Sequence, residues 1–306
     1  MVEATVPATS ANLGCAFDSA AIALDLHLTV EAVPLSSPGL ELKVEGEGVG
    51  KIAEDASNLV VQAISRFHGI TGTPIPGLRL RLASQIPVGV GLGSSAAAIV
   101  AGLLIGSQLT RHPVDDATLL GLAAELDGHP DNVAAALLGG LVVVAAAPNR
   151  VVSRKARIPE ALRFTLAVPE RPLPTSEARA VLPGSFPRDD AVHNLQRAVL
   201  LVASAFSGQF DFEPEFFADR WHQSRRADLL PGLAECLALE HPDLLGVCLS
   251  GAGSSVLAVS RGGATDEIAA RLRELLERRG VAVRTMTLSA DNLGAKGRLR
   301  AEAASP

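Results

Sequence analysis

Residues 82–110 carry no charged side chain, and inside that run Pro87-Val88-Gly89-Val90-Gly91-Leu92-Gly93-Ser94-Ser95-Ala96-Ala97-Ala98 places three glycines at alternate positions before a series of alanines. A membrane helix is excluded: Pro87 and the glycines would break it, leaving only Ala96 to about Leu109, too short for a hydrocarbon core of about 30 Å. A backbone-rich loop entering a helix of small residues is the reading that remains. The strict alternation of Leu78-Arg79-Leu80-Arg81-Leu82 just before it predicts a strand with one wet face. Closely spaced glycines let backbone N–H groups converge, and a helix start adds about half a positive charge, so an anionic group is favoured there. A hydroxyl at Ser94 or Ser95 adds a ligand for a phosphate or for Mg²⁺. Taken alone, the segment also suits a tight turn that packs glycines against a neighbour.

Two named motifs compete for this loop. A Walker A loop needs a lysine, and none occurs between Lys51 and Lys155. Gly91 to Ala96 fits the relaxed G-x-G-x-x-A dinucleotide fingerprint, but the strand before it alternates polar and apolar, and no strand with an acidic ribose ligand follows soon enough.

The chain has 306 residues, 48% hydrophobic and 20% charged, with a mean hydropathy of +0.28, which predicts two ordinary domains rather than a disordered chain. Aromatics reach only 3% and tyrosine is absent, so Ala, Leu and Val fill the interior and base-stacking platforms are not expected. The net charge of −6 gives no reason to expect a nucleic acid partner. Cys15, Cys236 and Cys248 are too few and too scattered for a disulfide framework or a metal site. The start, Met1 to Pro7, has neither the basic nor the apolar region of a secretion signal, so a reducing cytoplasmic setting is expected. A second uncharged run, Asn132 to Asn149, is split by Gly139-Gly140 and reads as a short helix turning into a buried strand, so no membrane insertion is expected.

Periodicity predicts strands at Val2–Val6, Leu26–Val33, within Gly39–Gly50, at Gly246–Leu249 and at Val281–Leu288. Helices are predicted across Asn58–His68, Asp115–Leu126, His193–Phe206 and Phe216–Ala227. A last helix is capped by Thr265 and terminated at Gly280. Ala20 onward, after the polar loop Pro7–Asp18, has a helix-like apolar composition. Six prolines between Pro159 and Pro187 place the domain boundary near Arg150, giving 1–152 and 153–306. The mixture in both halves predicts an α+β fold.

Three further segments concentrate polar groups. Pro7-Ala8-Thr9-Ser10-Ala11-Asn12-Leu13-Gly14-Cys15-Ala16-Phe17-Asp18 follows the first strand. Glu125-Leu126-Asp127-Gly128-His129-Pro130-Asp131-Asn132 separates two apolar runs, with Pro130 suited to the first turn of a helix. Glu125 at a helix end opposes the dipole, which becomes sensible if a cation sits against it. Ser250-Gly251-Ala252-Gly253-Ser254-Ser255 is a second glycine turn after an apolar strand. Each also serves as an ordinary turn or cap when read alone. G-x-S-x-G and H-E-x-x-H are absent.

Together these segments resemble the GHMP kinase superfamily, whose phosphate loop reads P-x-x-x-G-L-G-S-S-A-A, here Pro87 to Ala97. Within it the chain is similar to the homoserine kinases, through Pro7–Gly14 with Phe17-Asp18, His129–Ala134 and Ser250–Gly253 in the family's order. The resemblance implies a GHMP kinase fold: an N-terminal ribosomal protein S5 domain 2-like domain, a C-terminal ferredoxin-like domain, and an active site in the cleft between them. It implies ATP and Mg²⁺, with L-homoserine as the small-molecule acceptor and a homodimer as the assembly. Another small alcohol as acceptor, or a catalytically silent ligand-binding member of the same fold, are the alternatives.

By motif matching, Pro87, Gly89, Val90, Gly91, Leu92, Gly93, Ser94 and Ser95 hold the triphosphate, Asn58 lies near the base, and Ser95 with Glu125 holds Mg²⁺. Asn12, Asp18, His129 and Asn132 line the acceptor site, Arg179 and Arg226 grip its carboxylate, and Thr175 and Gly251 lie close by. Asn12, Asp18, Glu125 and Asn132 are the expected catalytic set, with Asp131 as a candidate base. Two segments depart from the family pattern, Cys15-Ala16 for Pro-Gly and Ser254 for Pro, which puts the stiffness of those two loops in question.

Overall fold

In the computed structural model, which describes residues 1–148 and 150–299, two sheets face a shared core and a cleft opens between them. The first half runs β1 (Val2–Ala11), β2 (Ala20–Pro34), β3 (Leu40–Gly46), α1 (Leu59–Thr71), β4 (Leu78–Ser84), α2 (Ser94–Thr110), α3 (Asp116–Asp127), α4 (Pro130–Leu138), β5 (Leu141–Ala147) and β6 (Arg150–Ala156). The second runs β7 (Leu162–Pro169), α5 (Thr175–Ala180), α6 (Arg188–Phe206), α7 (Gln223–Arg226), α8 (Leu233–Leu237), β8 (Leu244–Leu249), β9 (Val256–Arg261), α9 (Thr265–Glu277), β10 (Val283–Leu288) and β11 (Lys296–Leu299).

The long strand β2 organises the first sheet. Its later part pairs with β4 from Leu28↔Ser84 to Pro34↔Leu78, while its start pairs with β5 from Ala20↔Val143 to Ile22↔Leu141. β1 covers its other edge, with a register shift between Pro7 and Ala8 where proline has no N–H to donate. Helices α1 and α2 lie close together because two α2 glycines leave no side chain in the way. A Cβ on Gly102 would stand 2.5 Å from the Val60 carbonyl oxygen, and one on Gly106 2.7 Å from Phe67 Cβ.

The second sheet is antiparallel in the order β10-β7-β9-β8. Counting its strands along the chain gives 4-1-3-2 with helices in both crossovers, the ferredoxin-like βαββαβ arrangement. α9 buries Ile268, Leu272 and Leu276, spaced four apart on one stripe. No helix among the described residues is long and apolar enough to cross a membrane.

The sequence expectations need five corrections. β1 continues through Ala11, so half of the expected N-terminal loop is strand. Ala20–Leu24 is strand rather than helix-like, because it is buried on both faces and its apolar run need not alternate. The helix expected over Phe216–Ala227 is broken: the buried Asp219 carboxylate accepts from the backbone N–H groups of Trp221, His222 and Gln223, and only Gln223–Arg226 is α-helical. Thr265 is the first residue of α9, whose cap position is Ala264, whereas Gly280 takes the expected left-handed conformation at φ 78°. Finally, a cut after residue 152 would pass through β6, which pairs with β5 as far as Ala156, and β11 returns to pair with β1. The end of the described chain thus supplies an edge strand of the first sheet. Asn149 and residues 300–306 of the expected segments lie outside the described residues.

Candidate active site

The cleft encloses about 510 Å³ and is lined from both halves. One end of it is formed by the β4–α2 connection. Gly89, Gly91 and Gly93 have φ of 74°, 82° and 67°, the left-handed region. Substitution there is blocked by space as well: a Cβ on Gly91 would stand 2.1 Å from the Ser250 carbonyl oxygen, and one on Gly93 1.9 Å from Thr9 Oγ1. Four of the loop's carbonyls are engaged by other segments. Those of Gly89, Val90 and Leu92 accept from the N–H groups of Leu173, Ser255 and Thr9, and that of Gly91 accepts from the Ser250 hydroxyl. The N–H groups of Gly91, Leu92, Gly93, Ser94 and Ser95 donate to nothing among the described residues, and α2 has no side-chain cap. A neutral cradle of amides at a positive helix end is what a triphosphate requires.

Gly89, Gly91, Leu92, Gly93, Ser94 and Ser95 line the cleft, whereas Pro87 and Val90 are buried and do not. Beyond the cradle the wall turns apolar, with Leu28, Val44, Ile52, Leu82, Val88 and Ile99, a slot suited to a flat heterocycle. Asn58 borders this slot, but its side chain is committed to capping α1: it accepts from Val60 N–H and donates to the Ala53 carbonyl.

Glu125 does not meet Ser95. Its carboxylate is 60% exposed, accepts both bonds from Arg66 at 3.0 Å and does not line the cleft. Asp127 faces the loop instead, accepting from Ser95 Oγ at 3.2 Å. Burial pushes its carboxyl up, an effect opposed by His129, Ser95 and Arg179. The reason is helical phase. α3 buries Leu119 and Ala123, and Asp127 is four residues on from Ala123, while Glu125 points about 200° away from Asp127. Extending the apolar stripe of α3 would have selected Asp127.

At the acceptor end, Asn12 at φ 73° accepts from Asp18 N–H with Oδ1 and donates from Nδ2 to the Gly251 carbonyl at 2.8 Å, stitching the two halves together. The Asp18 carboxylate takes a bidentate bond from Arg179 at 2.6 and 3.1 Å. Arg226 is 1% exposed, yet it lines the cleft and forms no ion pair among the described residues. It donates to the carbonyls of Ala178 and Gly251 and to His222 Nδ1. The same His222 donates from Nε2 to the Gly14 carbonyl at 2.8 Å, which sets its tautomer and leaves it neutral. Burial first, and then the Arg179 charge, lower the Arg226 pKa to about 10. A buried cation held only by neutral acceptors is a ready site for a carboxylate. The Phe17 ring lies 5.3 Å from the Arg179 guanidinium and 5.7 Å from that of Arg226.

His129, at the cap position of α4, and Thr175, opening α5, border this end. Asn132 Oδ1 accepts from Thr9 Oγ1 at 2.7 Å, and its N–H donates to Asp131. Asp131 is almost fully buried on the cleft wall, and burial raises its carboxyl pKa to about 7. His222 and Asp127 are the site residues that sequence reasoning did not select. His222 lies in the segment expected to be a plain helix and carries no local signal.

The two departures from the family pattern are compensated. Without the usual proline, the Gly14–Ala16 loop is tied by Cys15 Sγ donating to the Phe216 carbonyl and by His222 on Gly14. Ser254 Oγ donates to the Arg171 carbonyl at 3.0 Å.

The GHMP kinases N terminal domain family matches residues 58–140. The chain is 37% identical over 291 residues to a homoserine kinase of Moorella thermoacetica, covering 95% of this chain and 97% of that one. It is 38% identical over 292 residues to a homoserine kinase of Deinococcus radiodurans, covering 94% of each. Its fold matches the crystal structure of homoserine kinase from Cytophaga hutchinsonii with a TM-score of 0.86 at 27% identity, over 97% of both chains. With the amide cradle, the paired cleft charges and the identity of 37% over nearly the whole chain in agreement, the chain belongs to the homoserine kinase family of the GHMP kinases.

Proposed function

We propose that this protein transfers the γ-phosphoryl group of ATP to the side-chain hydroxyl of L-homoserine, giving O-phospho-L-homoserine, a step toward threonine. The observation that carries this reading is one cleft with a charge-free amide cradle at one end and a charge set matched to an amino acid zwitterion at the other. Asp18 suits the ammonium, and Arg226 with Arg179 suits the carboxylate. Asn12, Asn132, His129, Thr175 and Gly251 bound the space left for the side chain.

The hydroxyl oxygen forms its bond to the γ-phosphorus as the bond to ADP breaks, and the hydroxyl proton passes to Asp131. With a pKa of about 7, that carboxyl is partly ionised at neutral pH. Because such transfers pass through a loose transition state, alignment and charge dispersal supply most of the rate, and the acceptor proton leaves late. Ser95 Oγ and the Asp127 carboxylate are two hard oxygen donors beside the cradle, and with phosphate oxygens they fit Mg²⁺. When bound, the ion would offset phosphate charge.

ADP release measured with homoserine, serine, mevalonate and shikimate as competing acceptors tests the reading, and a lack of preference for homoserine defeats the acceptor assignment. A homodimer is supported by an exposed apolar strip on α6, Leu195, Val199 and Leu200, and is checked by light scattering. A cytoplasmic setting is supported by three buried free cysteines.

A further inference from the structure

Asp18 and Arg179, the groups matched to opposite ends of a zwitterion, are bonded to each other. Arg179 gives both terminal nitrogens to the Asp18 carboxylate at 2.6 and 3.1 Å, and both side chains remain 32% exposed to the cleft. That arrangement leaves the guanidinium incomplete, because Arg179 Nε is buried without an acceptor. The Phe17 ring lies beside both guanidinium groups.

We infer that Asp18 and Arg179 form a partner-exchanging pair that couples recognition of the ammonium to recognition of the carboxylate, and so selects acceptors carrying both charges. The inference rests on the acceptor reading above and deepens it. An acceptor with a carboxylate alone reaches Arg226, but it finds Arg179 already neutralised and Asp18 repelling it from alongside. An acceptor with an ammonium alone finds Asp18 engaged. A zwitterion replaces the one internal pair by two, the ammonium drawing Asp18 and the carboxylate drawing Arg179, and neither charge is stranded. Asp127 and Asp131, whose carboxyls feel Arg179, add to the rejection of a lone anion.

The test uses three acceptors that share one three-carbon hydroxypropyl arm: homoserine, 4-hydroxybutanoate (no ammonium) and 3-aminopropan-1-ol (no carboxylate). Asp18→Asn preserves size, and asparagine tolerates the left-handed φ of 53° found there. The backbone bond from residue 18 to Asn12 needs no carboxylate. In Asp18→Asn, kcat/KM for homoserine should fall about 100-fold, while that for 4-hydroxybutanoate should rise about 10-fold as Arg179 is released. Arg179→Gln should raise 3-aminopropan-1-ol turnover in the same way. Unchanged or reduced use of 4-hydroxybutanoate by Asp18→Asn overturns the pair. A wild-type chain inert toward homoserine would defeat the acceptor reading itself. Calorimetric titration of 4-hydroxybutanoate would then still decide: tighter binding to Asp18→Asn sustains the exchange, and equal or weaker binding ends it.

Discussion

The β4–α2 end of the cleft and the end around Asp18 and Arg226 are built in opposite ways. The cradle is one contiguous segment without charged side chains; its N–H groups have no partner among the described residues, while its carbonyls are bonded to Thr9, Leu173, Ser250 and Ser255. The acceptor end is assembled from separated segments, and its charges already hold one another or buried carbonyls. A free amide at a solvated helix start is a small cost, whereas an unpaired charge in a cleft is a large one. A neutral subsite therefore needs no internal partner. A charged one needs an internal surrogate for its ligand.

Gly91→Ala would break the cradle most severely. Its Cβ would meet Ser250 and Gly253 backbone atoms within about 3 Å at a φ of 82°. A stability loss of about 2–4 kcal/mol and a fall in ATP turnover beyond about 1000-fold are expected, read by thermal melting and steady-state rates. Retention of both would mean that the cradle is not held by backbone packing.

Asp127→Asn should lower kcat by about 100-fold without loss of stability, since it removes a charge that burial disfavours. Raising Mg²⁺ in the assay should recover part of that loss, and a rate that ignores the metal would break the assignment.

Asp131 sharpens the comparison through pH. Its folded pKa of about 7 lies well above the ordinary aspartate range, so its ionisation opposes folding increasingly as pH rises from about 4 through 7. Asp131→Asn should match the wild type in stability below pH 4 and exceed it by up to a few kcal/mol above pH 7, as followed by urea titration. If Asp131 accepts the proton, kcat for the wild type should rise with pH through the same region, and the variant should lose that rise.

Glu125→Gln should have the smallest effect. Only an exposed pair with Arg66 is lost, worth about 0–1 kcal/mol, and turnover should stay within about two-fold of wild type. A loss as large as that of Asp127→Asn would return the metal to Glu125.

The contrast between the two ends also explains what could be read in advance. The cradle was legible because glycine spacing and the following small-residue helix are local properties, carried by twelve consecutive residues, Pro87 to Ala98. Strand Leu78–Ser84 was legible for the same reason, its leucines alternating with polar residues. Ala20–Leu24 was misjudged because burial on both faces erases the alternation by which a strand is recognised. The Phe216–Ala227 segment was misjudged because one buried carboxylate, Asp219, gathers N–H groups that a continuous helix would have used.

The sequence by itself determined which residue types reach the site and in what order along the chain, since turn chemistry and periodicity act over a few residues. Only the tertiary structure decided that Asp127 rather than Glu125 meets Ser95, that His222 braces Arg226, and that Asp18 holds Arg179 across 161 positions. Those outcomes depend on helical phase and on how two sheets share one core, and pairing between distant charges is fixed by where packing leaves them rather than by anything local to either residue.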